Sequence, residues 1–149
     1  MVCGVWLSPK GESVPFEPVD FYALASWLYD TKPPSASEAL RRTIVGRAYY
    51  AALICARDFV SVSTTGAGGH TNVIDALKKV HPTAGRKLDA LRISRRKSDY
   101  EVGSPVNERD VGISLRDALV VLHALGKAPI GIKPYSSNYL DPQRFLPKT

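Results

Sequence analysis

Ser35-Ala-Ser-Glu38-Ala-Leu40-Arg-Arg-Thr-Ile44-Val-Gly-Arg47-Ala-Tyr-Tyr50-Ala-Ala-Leu-Ile-Cys55-Ala-Arg-Asp-Phe59-Val60 is the stretch that decides the fold. Its opening Ser35-Ala-Ser-Glu38 reads as a capping box, in which the Ser hydroxyl and the Glu side chain each satisfy a free backbone N–H. Leu40, Ile44, Ala48, Ala51, Cys55 and Phe59 then recur three or four positions apart, which predicts one long helix to about Val60 with a continuous apolar stripe. Arg41, Arg42, Arg47 and Arg57 mostly lie off that stripe. Small residues at Ala48, Ala51 and Ala52 let a second helix approach closely. Tyr49 and Tyr50 are neighbours pointing about 100° apart on a helix, so one is expected to pack and the other to line a site or a dimer seam, with a purely core role as the alternative.

Working outward, Phe21, Leu24, Ala25 and Leu28 share a face and predict a first helix over about Pro18–Tyr29, stopped by Lys32-Pro33-Pro34. Thr64-Thr-Gly-Ala-Gly-Gly69 lacks the Gly-Lys-Ser/Thr ending of a phosphate-binding loop and reads as a flexible connection. A third helix is expected over about Thr71–Val80, carrying Val73, Ile74 and Leu77 and ended by His81-Pro82. The fourth, about Thr83–Tyr100, is poor in apolar residues and rich in Arg86, Lys87, Arg92, Arg95, Arg96 and Lys97. Asn107 is a natural cap for a fifth helix, with Glu108 and Asp110 in its first turn, a stripe of Val111, Leu115, Ala118, Leu122 and Leu125, and Gly126 at its close. Short connections between amphipathic helices imply an all-α, antiparallel up-down bundle of four to five helices over residues 16–127. Residues 1–15 read as an N-terminal arm, and 128–149, with four prolines, as an extended tail.

Composition narrows the functional class. The chain has 149 residues, 44% of them hydrophobic, which suits one domain with a single core. Lys and Arg outnumber Asp and Glu by 20 to 14, giving a net charge of +6 that favours polyanionic partners, although solubility alone also accounts for such a balance. Cys3 and Cys55 are too few and too far apart for a disulfide framework or a zinc site. No signal-peptide pattern and no apolar run of about 20 residues is visible, so a cytoplasmic protein without membrane, metal or cofactor is the expectation.

Gly46-Arg-Ala-Tyr-Tyr-Ala-Ala-Leu-Ile-Cys-Ala-Arg-Asp-Phe59, Gly69-His-Thr-Asn-Val73 and Leu91-Arg-Ile-Ser-Arg-Arg-Lys-Ser-Asp-Tyr100 follow one another on separate expected helices. In that order they resemble the HEPN superfamily, in its branch of small prokaryotic proteins with R-A-Y-Y-A and R-x-x-x-D-Y motifs. The resemblance covers about residues 37–127. It implies a helical bundle, a homodimer, and a setting in toxin–antitoxin or phage-defence systems beside a nucleotidyltransferase or antitoxin partner. Many members are metal-independent endoribonucleases in which an Arg is followed four to six residues later by His. Guanidinium stabilises the crowded phosphorane, and a group titrating near neutrality moves the protons.

Here the chain departs from the family's pattern, because no histidine stands four to six residues after Arg92, Arg95 or Arg96. Arg96, Asp99 and Tyr100 fall three and four positions apart and would share a helix face, so that with Arg95 they form the candidate catalytic group; an exposed salt bridge beside a packed Tyr is the alternative. His70 is the candidate to approach Arg96 and supply the missing imidazole, against a plain loop or capping role. Arg92, Lys97, Arg47, Arg42 and Tyr50 are the candidates for holding RNA or nucleotide phosphates; a solvated helix face explains the basic ones equally well. His81 and His123 read as structural or surface residues. Three functions stay open: an RNA-binding protein and metal-independent endoribonuclease, a non-catalytic module that docks a nucleotidyltransferase or other effector and receives nucleotide phosphates, and a helical dimerisation domain.

Overall fold

The computed structural model describes residues 17–32 and 37–127. All regular structure among them is helical: α1 (Val19–Thr31), α2 (Glu38–Val60), α3 (Gly69–Val80), α4 (Pro82–Tyr100) and α5 (Glu108–Ala124). The protein is therefore all-α, as its apolar periodicity requires. The expectations for the arm of 1–15 and the tail of 128–149 fall outside the described residues.

α2 is the axis of the bundle and packs against each of the other four helices. Its buried residues are Ile44, Val45, Gly46, Ala48, Tyr49, Ala51, Ala52, Leu53, Cys55 and Ala56, covering far more than one stripe. A helix enclosed on most sides needs small side chains where its neighbours come closest, and the alanines supply them. Phe59 departs from the expected stripe. At the last turn of α2 it is 54% exposed and lines an open groove with Asn72, Asp75 and Val80 of α3. Across the core, Ile44, Leu53, Ile74, Leu77, Leu88, Leu91 and Leu122 are each at most 1% exposed, and full burial of such a side chain contributes about 1.5–3 kcal/mol.

The start of α2 corrects the expected capping box. Ser37, in extended backbone, is the cap, its Oγ accepting from the Leu40 N–H at 2.9 Å; Ser35 lies outside the described residues. Glu38 is the first helical residue and reaches away from its own helix, its Oε1 accepting from the Val106 N–H at 2.9 Å. Ion pairs to Arg41 and Arg42, at 2.7 and 3.0 Å, complete its shell. The Val106 hydrogen bond first, then that with Arg41, pulls its carboxyl down to about 2.

Long-range bonds fix the helix directions. Arg41 Nε donates to the Val106 carbonyl, so α2 and α5 begin side by side, and Cys55 and Leu125 line one cavity where both end. Glu17 and Pro18 line that same cavity, so α1 starts where α2 ends and runs opposite to it. α4 also opposes α2, because Arg42 near the start of α2 bonds to Ser98 and Glu101 at the end of α4. α3 and α4 meet at a tight corner in which a Cβ on Gly85 would lie 2.7 Å from the Lys78 backbone. His81 caps α4 there, its Nδ1 accepting from the Ala84 N–H at 3.4 Å. α5 follows the sequence reading closely: Asn107 and Asp110 exchange a reciprocal capping box, and Gly126, at φ 70°, closes the helix.

No described helix is long and apolar enough to cross a membrane.

Candidate functional site

The site is built where α1, α2, α3 and α4 approach one another. α2 contributes Tyr49 and Tyr50, whose ring centroids are 5.3 Å apart. Tyr49 is fully buried and Tyr50 half-buried, so one of the pair packs in the core and the other stands at its edge. Both nevertheless enter the same cluster from different sides. The Tyr49 hydroxyl lies 2.9 Å from His70 Nδ1, while the Tyr50 hydroxyl accepts from Arg95 Nη2 at 2.8 Å.

Arg95 is the centre of the arrangement. Its Nε lies 2.7 Å from Asp99 Oδ2, one helical turn along α4. That contact is an ion pair without a hydrogen bond, because the buried Nε–H is not aimed at an acceptor. The guanidinium also sits 5.3, 5.4 and 6.0 Å from the ring centroids of Tyr50, Tyr100 and Tyr49, within range for cation–π attraction. Burial works against its charge, yet Tyr50, Asp99 and Tyr100 outweigh it and raise its pKa above the usual guanidinium value. Arg47 extends the same stack, 4.8 Å from the Phe21 ring centroid and 5.5 Å from that of Tyr50.

His70 reaches this cluster from the second position of α3. α2 continues from Tyr49 for eleven more residues to Val60, about 16 Å of helix, so the connection 61–68 must return along it. Ser61 turns the chain in the left-handed region at φ 55°, and Gly66 and Gly68 follow at φ 82° and 78°. The return is tight: a Cβ on Gly69 would lie 2.1 Å from the Thr64 carbonyl oxygen. His70 then stands beside both tyrosines, its ring centroid 5.9 Å from that of Tyr49 and 6.3 Å, edge-on, from that of Tyr50. Burial first, then the charges of Arg95 and Arg92, hold its pKa below the usual imidazole range, so the ring is neutral at pH 7. Burial likewise pushes the Tyr49 hydroxyl up to about 12, and it keeps its proton. Rotation of that hydroxyl satisfies either tautomer: Tyr49 donates to Nδ1, or Nδ1–H donates to the Tyr49 oxygen.

The phase of α4 corrects the expected grouping around Arg96. Leu88, Leu91 and Ser98 are the buried residues of this segment, and Arg95 lies four residues beyond Leu91 and three before Ser98, on the inner edge. Arg96 is turned about 100° away. It is exposed, with no hydrogen bond or ion pair to another described residue. His70 therefore joins Arg95, not Arg96. The basic residues of α4 do not form one cluster: Arg92 pairs with Asp89 at 3.1 Å, Arg95 with Asp99, and Lys97 with Asp110 at 3.7 Å. Tyr100 closes the helix with its side chain 69% exposed.

Arg42, expected on a phosphate-binding surface, is committed elsewhere. Its guanidinium donates to the carbonyls of Lys97, Ser98, Glu101 and Ser104 and to Glu38, tying down the C-terminal end of α4. Phe21 and Tyr49 are members of the cluster that the sequence did not single out as site residues. The spacing Leu88–Leu91–Arg95–Ser98 was the available signal for Arg95 facing inward; nothing local to Phe21 marks it. Among the described residues, no group of three or more His, Cys, Asp or Glu side chains is placed to hold a metal ion.

No family model matches the chain, and no solved structure matches it. It is similar to an uncharacterized protein of Methanocaldococcus jannaschii, 27% identical over an alignment of 117 positions, with 64% of this chain and 70% of that protein covered.

Proposed function

We propose that the chain is an HEPN-type domain that binds RNA at the Arg95–His70 cluster and cleaves it without a metal, as a homodimer in a prokaryotic toxin–antitoxin or defence system. The reading rests on one observation. Arg95 and His70, which the sequence does not space as an Arg–His motif, are joined in space through Tyr49 and Tyr50. A guanidinium and a neutral imidazole at one place are what cleavage by a ribose 2′-hydroxyl needs. With Nδ1–H donating to the Tyr49 oxygen, the Nε2 lone pair is free to take the 2′-hydroxyl proton. The resulting oxyanion attacks the adjacent phosphorus, the bond to the 5′-oxygen breaks, and the imidazolium returns the proton to that oxygen, so that a 2′,3′-cyclic phosphate and a 5′-hydroxyl are released and the imidazole is neutral again. Arg95 stabilises the charge on the phosphorane, and Tyr49 positions the imidazole.

One observation favours a second reading. Asp99 already answers the charge of Arg95 at 2.7 Å, as suits a non-catalytic module that receives nucleotide phosphates and docks a nucleotidyltransferase or other effector. Incubating purified protein with total RNA in EDTA separates the two. Fragments ending in cyclic phosphate, abolished by Arg95→Ala and by His70→Ala, are expected, with a rate that rises with pH as His70 loses its proton. RNA retention without any arginine-dependent fragment would replace the nuclease with the docking module.

A further inference from the structure

Beyond the cluster, α4 turns a second set of residues to solvent. Ile93 is 60% exposed, Arg96 is exposed and without an ion partner among the described residues, and Tyr100 is 69% exposed. They stand three and four positions apart and so form one stripe along the helix. The two ends of the stripe are about 10 Å apart along the axis, the rise of roughly three stacked bases at ~3.4 Å each. Tyr100 differs from an ordinary surface tyrosine because the Arg95 guanidinium lies 5.4 Å from its ring centroid. That contact holds the ring in place while most of the side chain stays open to solvent.

An oriented aromatic ring, a free guanidinium one turn away and an excess of basic residues along the same helix complement a chain of alternating bases and phosphates. Base stacking on such a ring requires a base face that is not already covered, and a duplex covers both faces of every internal base. Resting on the RNA-binding reading above, we propose that the exposed face of α4 selects single-stranded RNA, with an unpaired base stacked on Tyr100 and a neighbouring phosphate held by Arg96. The stripe thereby delivers the strand to Arg95 and Asp99, which lie five residues and one residue back from Tyr100.

The test uses the full-length protein in EDTA and a short oligoribonucleotide carrying one 2-aminopurine, free or annealed to its complement. Stacking on the ring is expected to quench the fluorophore in the single strand. Tyr100→Leu should remove the quenching and weaken single-strand binding roughly tenfold or more, whereas Tyr100→Phe should keep both. Arg96→Ala should weaken binding and lower the salt slope by about 0.7, one phosphate contact on a single strand. If Tyr100→Leu quenches and binds like the parent while Arg95→Ala still loses RNA, the stacking proposal is overturned and the RNA-binding reading survives. If the parent protein binds neither form of RNA, both fall. Should Tyr100→Leu instead convert a dimer to a monomer with unchanged affinity per chain, the stripe belongs to a second copy and the proposal is overturned.

Discussion

Replacing Arg42 by alanine removes the guanidinium shared by four carbonyls at and just past the end of α4, of which those of Lys97 and Glu101 keep a backbone donor while those of Ser98 and Ser104 lose their short bonds. Arg42 is only 16% exposed, and its bonds to the Ser98 and Ser104 carbonyls are short, at 2.6 and 2.8 Å. A hydrogen bond from a charged donor is worth about 1.5–3 kcal/mol net. Taking the lower figure for partial exposure, the two short bonds contribute about 3 kcal/mol. The bonds to Lys97 and Glu101, both at 3.3 Å, add little. A loss of about 3 kcal/mol is a large part of the roughly 5–15 kcal/mol that holds a domain folded, and should lower Tm by about 12–24 °C in a domain of about 100 residues. Arg42→Lys keeps the charge but not the planar fork, and should lose about half as much. Urea unfolding of the parent and both variants measures this, and amide exchange should accelerate over 98–104, where the freed carbonyls lie. A loss under ~1 kcal/mol for alanine, with lysine equal to the parent, would refute the reasoning by showing that water serves these carbonyls equally well.

Gly69→Ala should destabilise the protein by about 1–3 kcal/mol, the usual cost of forcing atoms into occupied space, because its methyl group meets the Thr64 carbonyl at 2.1 Å; a melting temperature within 2 °C of the parent, on a scale of about 4–8 °C per kcal/mol, would show that the loop moves aside freely. Glu38, lowered from 4.5 to about 2, makes a contribution that is complete above pH 4.5 and is lost as pH falls toward 2. The urea midpoint of the parent should therefore fall across that window more steeply than that of Glu38→Gln, and parallel curves would dismiss the assignment.

Most of the fold was legible because its helices are long, periodic and plainly bounded. The end of α2, the corner at His81-Pro82, and Asn107 and Gly126 at the two ends of α5 are set by local backbone chemistry, so one chain of residues suffices to read them. Ser35 and Ser37 stand two apart ahead of the same Glu, and which of them caps α2 was decided by Val106, 68 residues further on, which claims Glu38. Arg42 and Arg47 illustrate the same limit. Both read as basic residues on a helix face, yet one is drawn inward by the open carbonyls of α4 and the other lies over Phe21. Arg95 and Arg96 are neighbours of identical chemistry, separated only by the phase that Leu88, Leu91 and Ser98 impose. The meeting of His70 with Arg95 depends on how a connection folds back on itself, which no spacing along a single helix encodes.

That connection divides into two stretches with opposite tolerance to change in length. Entropy makes lengthening cheap, since doubling a flexible loop costs only about 0.6 kcal/mol, and residues inserted between Val62 and Ser63 would bulge outward with the imidazole undisturbed. One residue added between Thr64 and Gly69 would break the close seat of Gly69 on the Thr64 carbonyl, against which α3 starts, and with it the placement of His70 beside Tyr49. The distance along the chain between the tyrosine pair and the histidine is thus free to drift, whereas the last five peptide units before the histidine act as a ratchet that admits a single setting.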